Sequence, residues 1–165
     1  METREYHSVD KGAWPDGPWM REVDKKQWQD ADTGYPCLIV RGPSGALCGY
    51  VGVPEGHPYY ETGCDNVPVE AHGGLTFSSH CQHGSEDHSI CHVPAPGEPD
   101  NVWWLGFDCA HLGDVTPAYD SIRMSVGMHT RRSLFGETYK DMAYVEGEVR
   151  MLARQLKDHE QAQDR

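Results

Sequence analysis

Apolar residues fall into a few short runs divided by glycine, proline and charge. Cys37-Leu38-Ile39-Val40-Arg41 and Ala46-Leu47-Cys48-Gly49-Tyr50-Val51-Gly52-Val53 flank Gly42-Pro43-Ser44-Gly45. Two apolar runs around such a turn predict an antiparallel hairpin. Val102-Trp103-Trp104-Leu105-Gly106-Phe107 carries no charge and predicts a buried strand. Adjacent tryptophans in a strand face opposite ways, so only one need enter the core. Residues 67 to 77 predict a third strand region, with Val67, Val69 and Ala71 on one face and Glu70 and His72 on the other. Residues 78 to 101 show no period, and neither do residues 115 to 136, which include Pro117, Arg131 and Arg132. Met142, Val145, Val149, Leu152 and Leu156 recur at spacings of three and four and predict an amphipathic helix. Thr138-Tyr139-Lys140-Asp141 resembles a capping box at its start.

Strands followed by one long helix predict an α+β fold: an antiparallel or mixed sheet packed by a long C-terminal helix. The expected organisation is an irregular N-terminal arm over residues 1–30, a single domain over 31–158, and a frayed tail over 159–165. Trp14, Trp19 and Trp28 would clip the arm onto the domain. Gly49 and Gly52 suggest a bulge or a close approach by backbone or ligand. Gly147, inside the helix, suggests tight packing on the sheet.

Charge narrows the partners. The chain has 165 residues and a formal net charge of -12. Phosphate backbones and anionic membranes require a basic face, so direct nucleic-acid or membrane binding is not expected. An acidic surface that mimics a polyanion, as in an interaction protein that occupies another protein's nucleic-acid groove, is compatible with this charge. No apolar run approaches a membrane span, and Met1-Glu2-Thr3-Arg4-Glu5 lacks a signal-peptide core. A cytoplasmic location follows as the expectation. The six cysteines are then read as thiols or metal ligands, not disulfides.

The candidate chemistry gathers where apolar runs turn polar. Phe107 is followed by Asp108, Cys109, His111 and Asp114. If the strands of His72 and Asp108 are neighbours, Glu70, His72, Asp108, His111 and Asp114 meet at one rim, with Glu55 and His57 as outliers. Histidines with carboxylates can hold a divalent metal, polarise water, share acid–base work, or bond a ligand. They can equally form a structural polar network. Catalytic candidates are His72, Asp108 and His111, with Glu70 as base. Ligand-binding candidates are Glu55, His57, Gly73, Gly74, Thr76, Trp104 and Asp114. Cys81, His83, His88, Cys91 and His92 invite zinc, with Cys81, Cys91 and His92 the best candidates, although no Cys-x-x-Cys pair is present. Cys109 is either a nucleophile or a small buried residue. The cofactor expectation is zinc or another divalent metal, or none.

The phrases HGGLTF at residues 72–77, ICHVP at 90–94 and WWLGFDCAH at 103–111 resemble a family of small bacteriophage-encoded proteins. The likeness covers most of residues 28 to 158. That family has no established activity, so it supplies no catalytic residues. It implies a protein made inside an infected bacterial host and accessory to infection. By analogy, such a protein sequesters or cleaves a nucleotide immune signal. The leading expectation is capture of a small nucleotide-like ligand in a His/Asp/aromatic pocket. The alternative is a metal-assisted hydrolase of the same kind of molecule. Either is compatible with a homo-oligomer.

Overall fold

The computed structural model describes residues 1–129 and 136–165 and shows an α+β arrangement. The strands are β1 (Arg4–Tyr6), β2 (Lys25–Gln29), β3 (Pro36–Arg41), β4 (Leu47–Val53), β5 (Phe77–Ser79) and β6 (Trp103–Asp108). They form one sheet in the order β1-β2-β3-β4-β6-β5, with every neighbouring pair antiparallel. The helices are α1 (Pro117–Ser125) and α2 (Met142–Gln163).

The expected hairpin is β3–β4, with Cys37 opposite Val51 and Arg41 opposite Leu47. Alternation along β3, β4 and β6 divides the side chains between two cores. Ile39, Leu47, Val51, Leu105 and Phe107 face α2, which contributes Val145, Val149, Leu152, Ala153 and Leu156. A Cβ on Gly49 would lie 2.6 Å from both Phe107 and Val149, so the missing side chain lets helix and sheet close together. Leu38, Val40, Tyr50 and Trp104 form the second core, covered by Phe77, Cys81, Ile90 and Val102. The aperiodic stretch after β5 is therefore the cover of the helix-free face. Trp103 and Trp104 take opposite faces, and Trp104 is the fully buried one.

Several expectations need correction. Residues 1–30 are not an irregular arm throughout, because they supply β1 and β2. Their polar composition hides the strands: Lys25 and Gln27 of β2 point into the protein and are satisfied there by loop carbonyls. Asp24, next to β2, accepts from the Arg41 guanidinium at 2.7 Å and lies 2.7 Å from the Lys11 ammonium. Burial works to raise the Asp24 carboxyl, but Lys11, Arg41 and the Ser8 and Val9 N–H groups outweigh it and hold it below its ordinary value. Trp19 and Trp28 are buried against the domain as expected.

Residues 67 to 76 form no strand; contact with β6 begins where Thr76 N donates to Gly106 O at 2.9 Å, and the strand itself starts at Phe77. Pro68 lacks an N–H, Val69 N bonds back to Val67 O, and Gly74 N bonds to Ala71 O. Val67, Val69, Ala71 and Leu75 nevertheless pack on the α2-side core. The side-chain amide of Gln155 on α2 takes the place of a neighbouring strand, bonding both the N–H and the C=O of Glu70 at 2.8 Å. Residues 117 to 125, expected to be irregular, form α1; Arg131 and Arg132 lie outside the described residues. The cap of α2 is Asp141 itself, whose carboxylate accepts from Tyr144 N, and not Thr138. Gly147 is exposed with open space around it, so it marks no close packing. The helix continues to Gln163, past the expected end near Asp158. Among the described residues, no helix is long and apolar enough to cross a membrane.

Candidate functional site

The polar rim forms where β6 ends. Asp108 is the last residue of β6, and the turn that follows closes through Asp114 N to His111 O at 3.0 Å. This turn brings His111 and Asp114 toward the Ala71–Gly74 turn, which carries His72. Asp114 is 2 % exposed. Its Oδ2 accepts from His72 Nε2 at 2.7 Å and from His111 N at 3.1 Å, and Lys140 Nζ lies 3.1 Å from its Oδ1. Burial raises the Asp114 carboxyl, yet these donors more than offset it and keep the acid below its ordinary value.

His72 is held at both ring nitrogens. An ionised Asp114 can only accept, which assigns a proton to Nε2. The Tyr144 hydroxyl, 2.9 Å from Nδ1, then donates to the neutral ring. His111 differs. Its Nδ1 is buried and makes no hydrogen bond, although Asp108 Oδ1 lies 3.5 Å away and Asp114 Oδ2 3.7 Å away. Asp108 is in turn oriented by Ala110 N at 3.0 Å on Oδ1 and by the Thr76 hydroxyl at 3.1 Å on Oδ2.

One nitrogen from each of His72 and His111 and one oxygen of Asp114 lie within 4.8 Å of one another. A tetrahedral ion with bonds of about 2.1 Å to nitrogen and oxygen separates its ligands by about 3.4 Å. The 3.5 and 3.7 Å spacings around His111 match that edge. The 2.7 Å His72–Asp114 pair would have to open slightly. The donor set therefore fits a tetrahedral divalent ion such as zinc, with Asp108 at the same edge distance from His111.

Other candidates lie elsewhere. His57 is buried and its Nε2 is 2.9 Å from Leu156 O, far along α2 from Tyr144. Burial lowers its pKa, so it is a neutral packing residue. Glu55 is exposed after β4, and Trp104 is sealed in the second core, its indole N–H donating to Cys81 Sγ. Glu70 is exposed and its peptide groups are held by Gln155. Gly74 is an exposed neighbour of Gly73 and supports no ring. Burial pushes the Cys109 thiol well up, which leaves it a small core residue and no nucleophile. Cys81 and Cys91 are joined in a disulfide, contrary to the expectation of free thiols; Cys37, Cys48, Cys64 and Cys109 are free. A cavity of about 660 Å³ lined in part by Met1, Arg4, Val93 and Pro96 shares no residue with the rim.

Sequence reasoning missed Lys140 and Tyr144. Both flank the start of α2, some thirty residues beyond β6, and only the crossing of the helix over the sheet brings them to His72 and Asp114. The site defines an α+β protein with a two-histidine, two-carboxylate rim. Compared with known proteins, the chain matches no family model, no curated protein and no solved structure.

Proposed function

We propose that the rim is a divalent-metal centre and that the protein is a metal-dependent hydrolase of a small nucleotide-like molecule. The observation that carries this is the buried, unbonded Nδ1 of His111 aimed between two carboxylates. A buried ring nitrogen without a partner costs stability unless something occupies it. His72, His111 and Asp114 would hold the ion, with Asp108 beside them. When bound, the ion supplies Lewis acidity and a water of lowered pKa. Asp108, oriented by Thr76 and Ala110, is placed to accept a proton. His72 would hold the ion through Nε2 as the tautomer protonated at Nδ1, with the Tyr144 oxygen accepting that N–H. The substrate class, and a role against a host immune signal, rest on the resemblance to phage-encoded proteins.

A second reading is capture without metal. It is favoured by His72, whose two nitrogens are already satisfied by Asp114 and Tyr144. That reading no longer has Trp104 as an aromatic wall or Gly49 as a point of close approach by a ligand, since both are committed to packing.

Incubation of the purified protein with a panel of nucleotides, with and without chelator, separates the two. A new product that vanishes with chelator and in His111→Ala supports the hydrolase. Intact ligand released on denaturation, with binding indifferent to chelator, supports capture and overturns the metal centre.

A further inference from the structure

The cover of the helix-free face holds a second cluster. Cys81 Sγ, Cys91 Sγ and a His92 ring nitrogen lie within 4.8 Å of one another, and so do ligand atoms of His83, Cys91 and Asp100. Cys91 is common to both groups. A cavity of about 180 Å³ opens beside them, lined by His83, Cys91, His92 and Asp100 among others. His92 is 8 % exposed, and its Nδ1 is buried with no hydrogen-bond partner. A disulfide does not need a histidine at its side, and a structural pairing leaves that nitrogen unexplained. Two sulfurs and two imidazoles are a set that zinc takes in closed, four-ligand sites.

We propose that Cys81, Cys91, His92 and His83 form a redox-gated zinc site, of which the Cys81–Cys91 disulfide is the oxidised, metal-free form. This site is separate from the His72–His111 rim. A dithiol reductant delivers two electrons and two protons to the sulfur–sulfur bond, giving two thiols and becoming a disulfide itself. Each thiol then yields its proton to solvent as its sulfur ligates the ion.

The surrounding chain is built to keep the cluster in place once the bond opens. Lys25, 1 % exposed, donates from Nζ to the carbonyls of Glu86, Ser89 and Cys91 at 2.6, 2.7 and 2.9 Å. Gln27 bonds both peptide groups of Val93, at 2.8 and 3.1 Å. These contacts fasten the segment carrying Cys91 and His92 to β2 independently of the disulfide. The Trp104 indole N–H donates to Cys81 Sγ at 3.4 Å, a contact that favours a thiolate at that sulfur. A disulfide is unusual in a reducing cytoplasm, where the zinc-bearing form would prevail.

Cobalt(II) is the probe, because sulfur ligation gives it an intense near-ultraviolet charge-transfer band that the nitrogen and oxygen ligands of the rim do not. Protein reduced with a phosphine, which takes up water oxygen to become its oxide, should keep its far-ultraviolet dichroism and develop the band. Oxidised protein should not. Replacing both Cys81 and Cys91 by serine should abolish the band, His92→Gln should weaken cobalt affinity at least tenfold, and His111→Ala should leave the band intact. Loss of the band in His111→Ala overturns the separateness of the two sites. A folded, reduced protein without the band overturns the proposal, as does unfolding on reduction or a band that survives when both Cys81 and Cys91 are replaced by serine.

Discussion

The imidazole of His111 occupies the space that Gly73 leaves by having no side chain. A Cβ at position 73 would fall 2.3 Å from His111 Cε1 and 2.5 Å from its Nδ1. Gly73 also has φ of 68°, a backbone region that other residues adopt only with strain.

Gly73→Ala should therefore push His111 away from Asp108 and Asp114. Gly74→Ala is the matched control, because Gly74 has φ of 82° but nothing within 4 Å of its added carbon. Both variants should lose about 1 kcal/mol from backbone strain. Only Gly73→Ala should lose affinity for zinc at the rim, by at least tenfold in calorimetric titration. Equal losses in the two variants would mean that the ring contact does nothing for the site.

Tyr144 touches His72 and belongs to the helix, so it links the rim to α2. Removing a bond from the far nitrogen of a metal-binding histidine typically costs ten- to a hundredfold in affinity. Tyr144→Phe should lower rim affinity by about that factor. Its thermal midpoint should stay close to that of the wild type, because Tyr144 is 39 % exposed and phenylalanine keeps its ring. Unchanged zinc affinity in Tyr144→Phe would count against His72 as a ligand.

Acid sensitivity should trace to Asp24. Its folded pKa lies below the ordinary value, so the unfolded chain takes up the proton first as pH falls. Its contribution is complete above about pH 4 and is lost as pH drops through the folded value. Asp24→Asn leaves Arg41 and Lys11 facing a neutral group and should cost about 3–5 kcal/mol at pH 7. The gap between variant and wild type should hold above about pH 4 and narrow as pH falls below it in denaturant titrations. A constant gap across that range would assign the acid transition to other carboxylates.

The legible parts of the fold were those in which burial follows local pattern. The β3–β4 hairpin, β6 and α2 announce themselves because apolar residues recur at periods of two or near 3.6. β2 does not, because Lys25 and Gln27 are buried by contacts with carbonyls more than sixty residues away. Residues 67 to 76 mislead in the opposite sense: their alternation is real and Val67, Val69 and Ala71 face the core, but the ladder partner is a glutamine side chain. The candidate rim shows the same division. His72, Asp108, His111 and Asp114 stand where apolar runs end, and the structure brings them together. His57 has the same local appearance and instead lies under α2. Lys140 and Tyr144 carry no sequence mark that ties them to His72 or Asp114.

The two outermost strands, β1 and β5, are three residues long, while the interior strands run to five, six or seven. Short borders leave few unpaired peptide groups for another chain to template on. Domain swapping and fibril growth by strand addition thus find little purchase at either margin. Purified protein should therefore tolerate concentration for the titrations above without growth by strand addition.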